Sequence, residues 1–374
     1  MELFDVYPLL DVEPVKGKGA YVWDKDGNKY LDFYGGHAVI SIGHSHSQYV
    51  EKIQVQLQQL GFYSNSVINP LQGELARKLG ELSSYPNYQL FLCNSGAEAV
   101  ENALKLASFS TGKKKVVAFS GGFHGRTSGA LSVTDNPKLA APFNGGHLSE
   151  ILPWNDVKAL KVCLQGGDVA AVIIEGIQGL AGIHEASSFF WKAIRELCDQ
   201  YDCLLIVDEV QSGYGRSGKF FAHQHYGIKA DLITVAKGMG NGFPIGGVLI
   251  HPDIEAHYGM LGTTFGGNHL ACSAGIVVLD VLKEEGLIQH AAKMGDLLRE
   301  ELTFIPKIKT ISGKGLMLGL DFDFPVKNLR NQLVIQEKIF TGAAANPNIM
   351  RLLPPLSISE KDVKHFVKGL KHVL

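Results

Sequence analysis

Little in this chain of 374 residues points away from an aqueous compartment or towards a polyanionic partner. No apolar run approaches the ~20 residues that a membrane-spanning helix needs. The 35 basic side chains are matched by 37 acidic ones, and the net charge of -2 offers no basic excess to nucleic acid or an anionic membrane surface. The five cysteines (Cys93, Cys163, Cys198, Cys203, Cys272) are odd in number, scattered and without a CxxC pair. That excludes a disulfide framework or a zinc site and fits a reducing compartment. The first ten residues, MELFDVYPLL, carry Glu2 and Asp5 where a secretory signal has positive charge. These absences predict a cytoplasmic protein with no metal, no membrane and no nucleic-acid partner. Repeats, low-complexity segments and flexible linkers are missing as well. What is present is 45% apolar residues in a length that suits two or three structural units around a buried core.

Two apolar runs each close on one charged residue. LLIVDEVQSGYGRSG turns at Asp208, and LITVAKGMGNGFPIGG turns at Lys237. Singly, such residues are ordinary: a solvated end of a strand, or an acid that caps a helix. Together, at the ends of neighbouring buried strands, an amine and a carboxylate cost desolvation energy unless a bound group uses both. A pyridine ring bearing an aldehyde uses both, because the amine bonds the aldehyde and the carboxylate keeps the ring nitrogen protonated. The ten residues after Lys237 include five glycines and a proline, so the backbone there can approach a ligand closely.

Strand and helix patterns alternate along the chain. EAVENALKLASF (98–109) reads as a helix before strand-like KVVAF, and VAAVIIE (169–175) precedes helical FFWKAIRELCDQY (189–201). LLIVD and LITVA follow. Short apolar strands between amphipathic helices predict an α/β fold with a mostly parallel central sheet flanked by helices. Sites in such folds gather at the carboxyl ends of the strands. After about residue 255 a long helical stretch, LACSAGIVVLDVLKEEGL, leads into more scattered strand signals.

Three further segments carry chemistry. In CNSGAEAVENALKLA, Asn94, Ser95 and Gly96 open a helix, so free backbone amides and the helix dipole face the turn. Ser95 and the amides of Gly96 and Ala97 suit a phosphate monoester, although an N-cap alone would look the same. In GGFHGRTSG (121–129), Phe123 can lie flat on a ring and Arg126 can fork a carboxylate. GTTFGGNH (262–269) suits phosphate binding or a tight turn equally.

The ordered set of segments resembles the class III, fold type I, pyridoxal phosphate-dependent aminotransferases, in the group of acetylornithine and ornithine aminotransferases. The matching pieces run over nearly the whole chain: GKGAYVWDKDGNKYLDF, IGHSH, CNSGAEAVENALKLA, FHGRT, IIEGIQG, VDEVQSGYGRSG, LITVAKGMGNGFPIGG, TTFGGNHLAC, GKGLMLGL and RLLPPLSIS. The resemblance implies a large cofactor-binding domain over 46–254 and a smaller α+β domain assembled from 1–45 and 255–374. It implies that Lys237 bonds pyridoxal 5'-phosphate and moves the proton, and that Asp208 pairs with the ring nitrogen. Gln211 would touch the ring's phenolic oxygen and Phe123 would stack on the ring. Ser95, Gly96 and Ala97 would hold the phosphate, with Thr264 reaching it from the neighbouring subunit of a homodimer with shared active sites. Arg126 would bind the substrate α-carboxylate, and Arg351 the second carboxylate of glutamate or 2-oxoglutarate. His37 and Tyr7 would border the substrate.

Two departures bear on the substrate. The family usually reads EPxQGEGG where this chain has EGIQGLAG, so Gly176 replaces the proline and Leu180 the second glutamate. In ornithine-type enzymes that glutamate shields the arginine matching Arg351, so this chain is expected to leave Arg351 unpaired. His37 stands where related chains carry an aliphatic or aromatic residue. The expected reaction is amino transfer between N-acetylornithine and 2-oxoglutarate, in arginine biosynthesis. The alternatives are an N-succinylornithine or succinyl-diaminopimelate enzyme, and an ornithine or 4-aminobutyrate ω-aminotransferase. An aminomutase or a catalytically silent scaffold remains as a different class; a silent scaffold is expected to lose Lys237 or Asp208, and both are present.

Overall fold

The computed structural model describes residues 1–374. Residues 1–13 form no regular element. An antiparallel meander follows, made of β1 (Pro14–Lys18), β2 (Tyr21–Asp24) and β3 (Lys29–Asp32). Its second turn is built by Asp24, whose carboxylate accepts the amides of Asp26 and Asn28 at 3.1 and 2.8 Å while Gly27 takes φ +83°. After β3 comes a single left-handed turn, α1 (Gly35–Ala38), with φ between +54° and +67° at all four residues. Then α2 (Ser47–Gln59) and α3 (Pro70–Ser83) lead into the main sheet; Asn69 caps α3 and proline occupies its first turn.

The seven-stranded central sheet uses β4 (Gln89–Cys93), β5 (Lys115–Phe119), β6 (Ser149–Leu152), β7 (Val169–Glu175), β8 (Leu204–Asp208), β9 (Leu232–Val235) and β10 (Gly246–Ile250). Their spatial order is β4-β10-β9-β8-β7-β5-β6, and only β10 runs against the rest. All residues of β7, β9 and β10 are buried, which is why β7 and β9 read as near-continuous apolar runs rather than alternating ones. Four helices separate the strands: α4 (Gly96–Thr111), α5 (Ser128–Ser132), α6 (Val157–Leu164) and α7 (Ser188–Gln200). Each sequence-predicted element of this region is found: α4 encloses 98–109, β7 spans 169–175, and α7 covers 189–200. Gly112, with φ +68°, closes α4 in a left-handed cap.

Beyond residue 255 the chain adds α8 (His269–Glu284), α9 (Leu287–Thr303), β11 (Thr310–Lys314), β12 (Met317–Asp321) and α10 (Lys327–Gln336). It ends with β13 (Ile339–Phe340), β14 (Gly342–Ala343), β15 (Ile349–Leu352) and α11 (Glu360–Val373). β13 pairs in parallel with β3, matching Ile339 to Leu31, so the two ends of the chain share one four-stranded sheet. A second four-stranded sheet, β11-β12-β15-β14, carries Arg351 on its inner strand. α8 packs against α2 and α3, and its side chains join those of the central sheet in one large core. No helix is long and apolar enough to cross a membrane.

Candidate active site

Strands β4, β5, β7, β8 and β9 all point their carboxyl ends at one cavity of about 570 Å³. In-register pairing sets Glu175, the last residue of β7, beside Asp208, the last of β8. The sheet therefore delivers two carboxylates to the cavity floor, and Lys237 enters two residues beyond β9. All but two of the sequence-predicted residues line this cavity: His37, Ser95, Gly96, Ala97, Phe123, Arg126, Asp208, Gln211, Lys237 and Arg351.

Asp208 is buried, with 5% of its surface exposed. One oxygen accepts the Val210 amide at 3.0 Å, and the other accepts His124 Nδ1 at 2.7 Å. His124 is itself buried on the cavity wall. Burial opposes its protonation, but the hydrogen bond and charge of Asp208, with the charge of Glu175, hold its pKa above the usual value. Asp208 thus keeps a compensated negative charge under the cavity. His124 was not singled out from the sequence, although FHGRT contains it; its partner lies 84 positions away.

Glu175 accepts the amides of Phe123 at 3.0 Å and Gly179 at 2.9 Å. Burial pushes its pKa up to about 6, against the charge of His124 and these two amides. It too was passed over. Yet it ends an apolar run as Asp208 does, so the same signal was there to be read.

Lys237 stands at φ +45°, a left-handed conformation rare outside glycine. Such backbone persists only where its surroundings fix it, and it aims the side chain into the cavity. The amine makes no hydrogen bond or ion pair within the chain. Desolvation lowers its pKa; the charges of Asp208 and Glu175 oppose that shift and Arg351 adds to it. A partnerless amine with a depressed pKa is a nucleophile and a proton acceptor.

At the cavity wall, Ser95 caps α4 by accepting the Glu98 amide at 3.2 Å. The amides of Gly96 and Ala97 find no acceptor in the chain, so two donors remain at the positive end of a four-turn helix. Gly96 is tightly seated: a Cβ there would meet Val210 at 2.7 Å.

Arg351 is 2% exposed and forms no ion pair with an acid, although Glu175 lines the same cavity. Its Nε donates to the Ala343 carbonyl, and Nη1 reaches Gln211 Oε1 at 3.4 Å. Burial lowers its pKa despite the nearby Tyr34 and Glu175, and the Arg330 charge adds to the lowering. Leu180 lines the same cavity, and no ion pair is formed by Arg351 within the chain. Gln211 also donates Nε2 to the His37 carbonyl at 3.1 Å. Arg126 lies exposed at the mouth without an ion-pair partner.

Two predicted residues lie elsewhere. Tyr7 is 65% exposed in the irregular N-terminal segment and does not border the cavity. Thr264 is exposed on the loop before α8, also outside the lining.

The residues present fit pyridoxal phosphate. Two partnerless amides at a helix start match a phosphate, a compensated buried carboxylate matches a pyridinium, and an unpaired amine matches an aldehyde.

Comparison with known proteins agrees with this geometry. Residues 6–374 match the family model described as "Aminotransferase class-III". The chain is 41% identical over 380 residues to acetylornithine aminotransferase of Bacillus subtilis strain 168, covering 100% of this chain and 97% of that protein. It is 42% identical over 373 residues to the acetylornithine aminotransferase of Archaeoglobus fulgidus, with 98% and 96% covered. Among solved structures, ornithine aminotransferase from Toxoplasma gondii superposes with a TM-score of 0.91 at 31% identity, over 98% of this chain and 90% of that one. That structure holds pyridoxal phosphate at partial occupancy in its active site.

Proposed function

We propose a substrate from one premise: the chain belongs to the class III, pyridoxal phosphate-dependent aminotransferases. The reading is amino transfer from N-acetylornithine to 2-oxoglutarate, giving N-acetylglutamate semialdehyde and glutamate, a step of arginine biosynthesis in the cytoplasm. Full-length relatives of that name support it. The single observation that carries it within this chain is Arg351, a buried guanidinium on a rigid strand with no carboxylate beside it. A ligand that brings negative charge would stabilise such a cation, and the distal carboxylate of glutamate or 2-oxoglutarate does so.

When bound, pyridoxal phosphate supplies the electron sink that tolerates negative charge on the carbon bearing the amine. Ser95 with the Gly96 and Ala97 amides would hold its phosphate, Asp208 its ring nitrogen, and Phe123 its face. Lys237 Nζ, whose pKa is lowered chiefly by burial, takes the proton from the substrate carbon and returns it elsewhere. Arg126 orients the α-carboxylate at the mouth, and Arg351 the second one. Thr264, exposed next to Phe265, is assigned to the phosphate of a second copy, so that the site is completed in a homodimer.

The test compares kcat/KM for N-acetylornithine, N-succinylornithine, ornithine and 4-aminobutyrate with 2-oxoglutarate as acceptor. N-acetylornithine should lead, and Lys237→Ala should abolish turnover with the fold intact. A higher value for ornithine or 4-aminobutyrate would move the enzyme to another branch of the family. A lead for N-succinylornithine would keep the reaction and change the acyl group.

A further inference from the structure

One wall of the cavity carries a ring of contacts around Arg351. Arg351 Nη1 reaches Gln211, Gln211 donates to the His37 carbonyl, and the His37 ring hydrogen-bonds the Tyr34 hydroxyl. The Tyr34 ring then returns to Arg351 across Gly342. A Cβ on Gly342 would lie 2.9 Å from the Tyr34 ring and 3.2 Å from Arg351 Cβ, so only glycine lets the ring lie there. His37 is presented by the left-handed turn, at φ +67°, where a residue bearing a Cβ is strained. Asp32 holds that turn, accepting the amides of Tyr34 at 2.9 Å and Gly35 at 2.8 Å. Strain held in place at a cavity mouth marks a position with a task.

The charges around this ring define the task. The cavity's acids are Glu175 and Asp208, and both are engaged, by the Phe123 and Gly179 amides and by His124. Its other ionisable side chains are all basic: His124, which is paired with Asp208, and His37, Arg126, Lys237 and Arg351. Ornithine that reacts through its δ-amine carries its α-ammonium into this region, where no free carboxylate meets it. An amide nitrogen carries no charge, and its N–H and C=O want neutral hydrogen-bonding groups. Burial, and then the charges of Arg351, Lys237 and Arg126, lower the His37 pKa and favour its neutral form.

The geometry points to the Tyr34–His37 pair as the element that reads the acylated α-nitrogen of the substrate: His37 touches the amide, and Tyr34 positions His37. The inference rests on the acylornithine reading and adds why the nitrogen must be blocked. It differs from the role of Arg351, which reads a carboxylate.

The experiment uses the holoenzyme and three variants. Tyr34→Phe keeps the ring on Gly342 and removes only the hydroxyl; it should lower kcat/KM for N-acetylornithine about five- to tenfold, and for glutamate by much less. N-acetylnorvaline, which lacks the δ-amine and cannot react, should bind Tyr34→Phe weaker by the same factor in calorimetry. His37→Asn, a residue that tolerates the left-handed turn, should show the same bias. His37→Asp supplies the missing counter-charge and should shift the ratio of kcat/KM for ornithine over N-acetylornithine upwards by about tenfold. Equal losses for N-acetylornithine and glutamate in the first two variants, or an unmoved ratio in the third, would overturn the inference while leaving the acylornithine reading intact. A wild-type preference for free ornithine would overturn both.

Discussion

His124 Nδ1 lies 2.7 Å from Asp208 Oδ2, and both side chains are shut away from solvent. The carboxylate that would face a pyridinium is therefore fixed from behind by a second titratable group. The histidine's raised pKa makes the hydrogen bond charge-assisted. His124→Phe should lower kcat by about 10- to 100-fold and speed loss of cofactor on dialysis, as removal of an outer-shell partner does elsewhere. His124→Asn, whose amide can donate near the position of Nδ1, should recover part of both. A Phe variant with the wild-type rate and retention would remove His124 from the machinery.

Arg351→Ala should raise KM for 2-oxoglutarate at least tenfold, since truncating one partner of a buried charge pair costs about 2–5 kcal/mol. Pyruvate, which has no distal carboxylate, should lose far less. Steady-state kinetics with the two acceptors decides the matter. Equal penalties would mean that Arg351 shapes the cavity rather than reading a carboxylate.

Glu175 gives the protein a pH signature. Its pKa rises from an ordinary 4.5 to about 6 in the fold, chiefly through burial. Across that interval the folded chain holds more protons than the unfolded one, so stability falls as pH rises through it. Above the window the deficit is on the order of 2 kcal/mol. Glu175→Gln abolishes the titration. Its Tm relative to wild type should therefore stand higher near pH 7.5 than near pH 5, at equal cofactor saturation. A difference that stayed constant with pH would sink this account.

Gly176 faces a fixed obstacle. A Cβ there would approach Glu209 Oε1 at 2.6 Å and Ser212 Oγ at 2.8 Å. Glu209 cannot easily retreat, because His223 Nδ1 holds it at 2.7 Å and Ser212 at 2.6 Å in a fully buried cluster. Gly176→Ala should cost about 1–3 kcal/mol by overpacking. A denaturant midpoint unchanged from wild type would contradict that.

The fold was legible where burial leaves a simple trace. Fully buried strands such as β7 and β9 are unbroken apolar runs, and α4 and α7 carry both periodicity and a serine cap. β10, by contrast, is as buried as its neighbours but opens with two glycines, and its reversed direction has no local signal. The site was legible through residues that break a pattern: Asp208 ends an apolar strand and Lys237 lies two residues beyond one. Tyr34 and His124 break none. Their roles arise from partners such as Gly342 and Asp208, brought close only by the folded sheet order. Tyr7 and Thr264, expected at the site, lie outside the cavity lining.

The pairing of β3 with β13 also has a consequence in time. During synthesis from the N-terminus, Ser95, Phe123, Asp208, Gln211 and Lys237 emerge on one continuous stretch of chain, together with every strand of the central sheet. Leu31, however, waits for Ile339, and Tyr34 waits for Gly342 and Arg351. Contacts so distant along the chain close late, because a long loop must be ordered before they form. A nascent chain halted at about residue 330 would hold most of the cavity lining but lack Gly342 and Arg351, against which Tyr34 packs. The wall around Arg351 is the last part of the cavity to close.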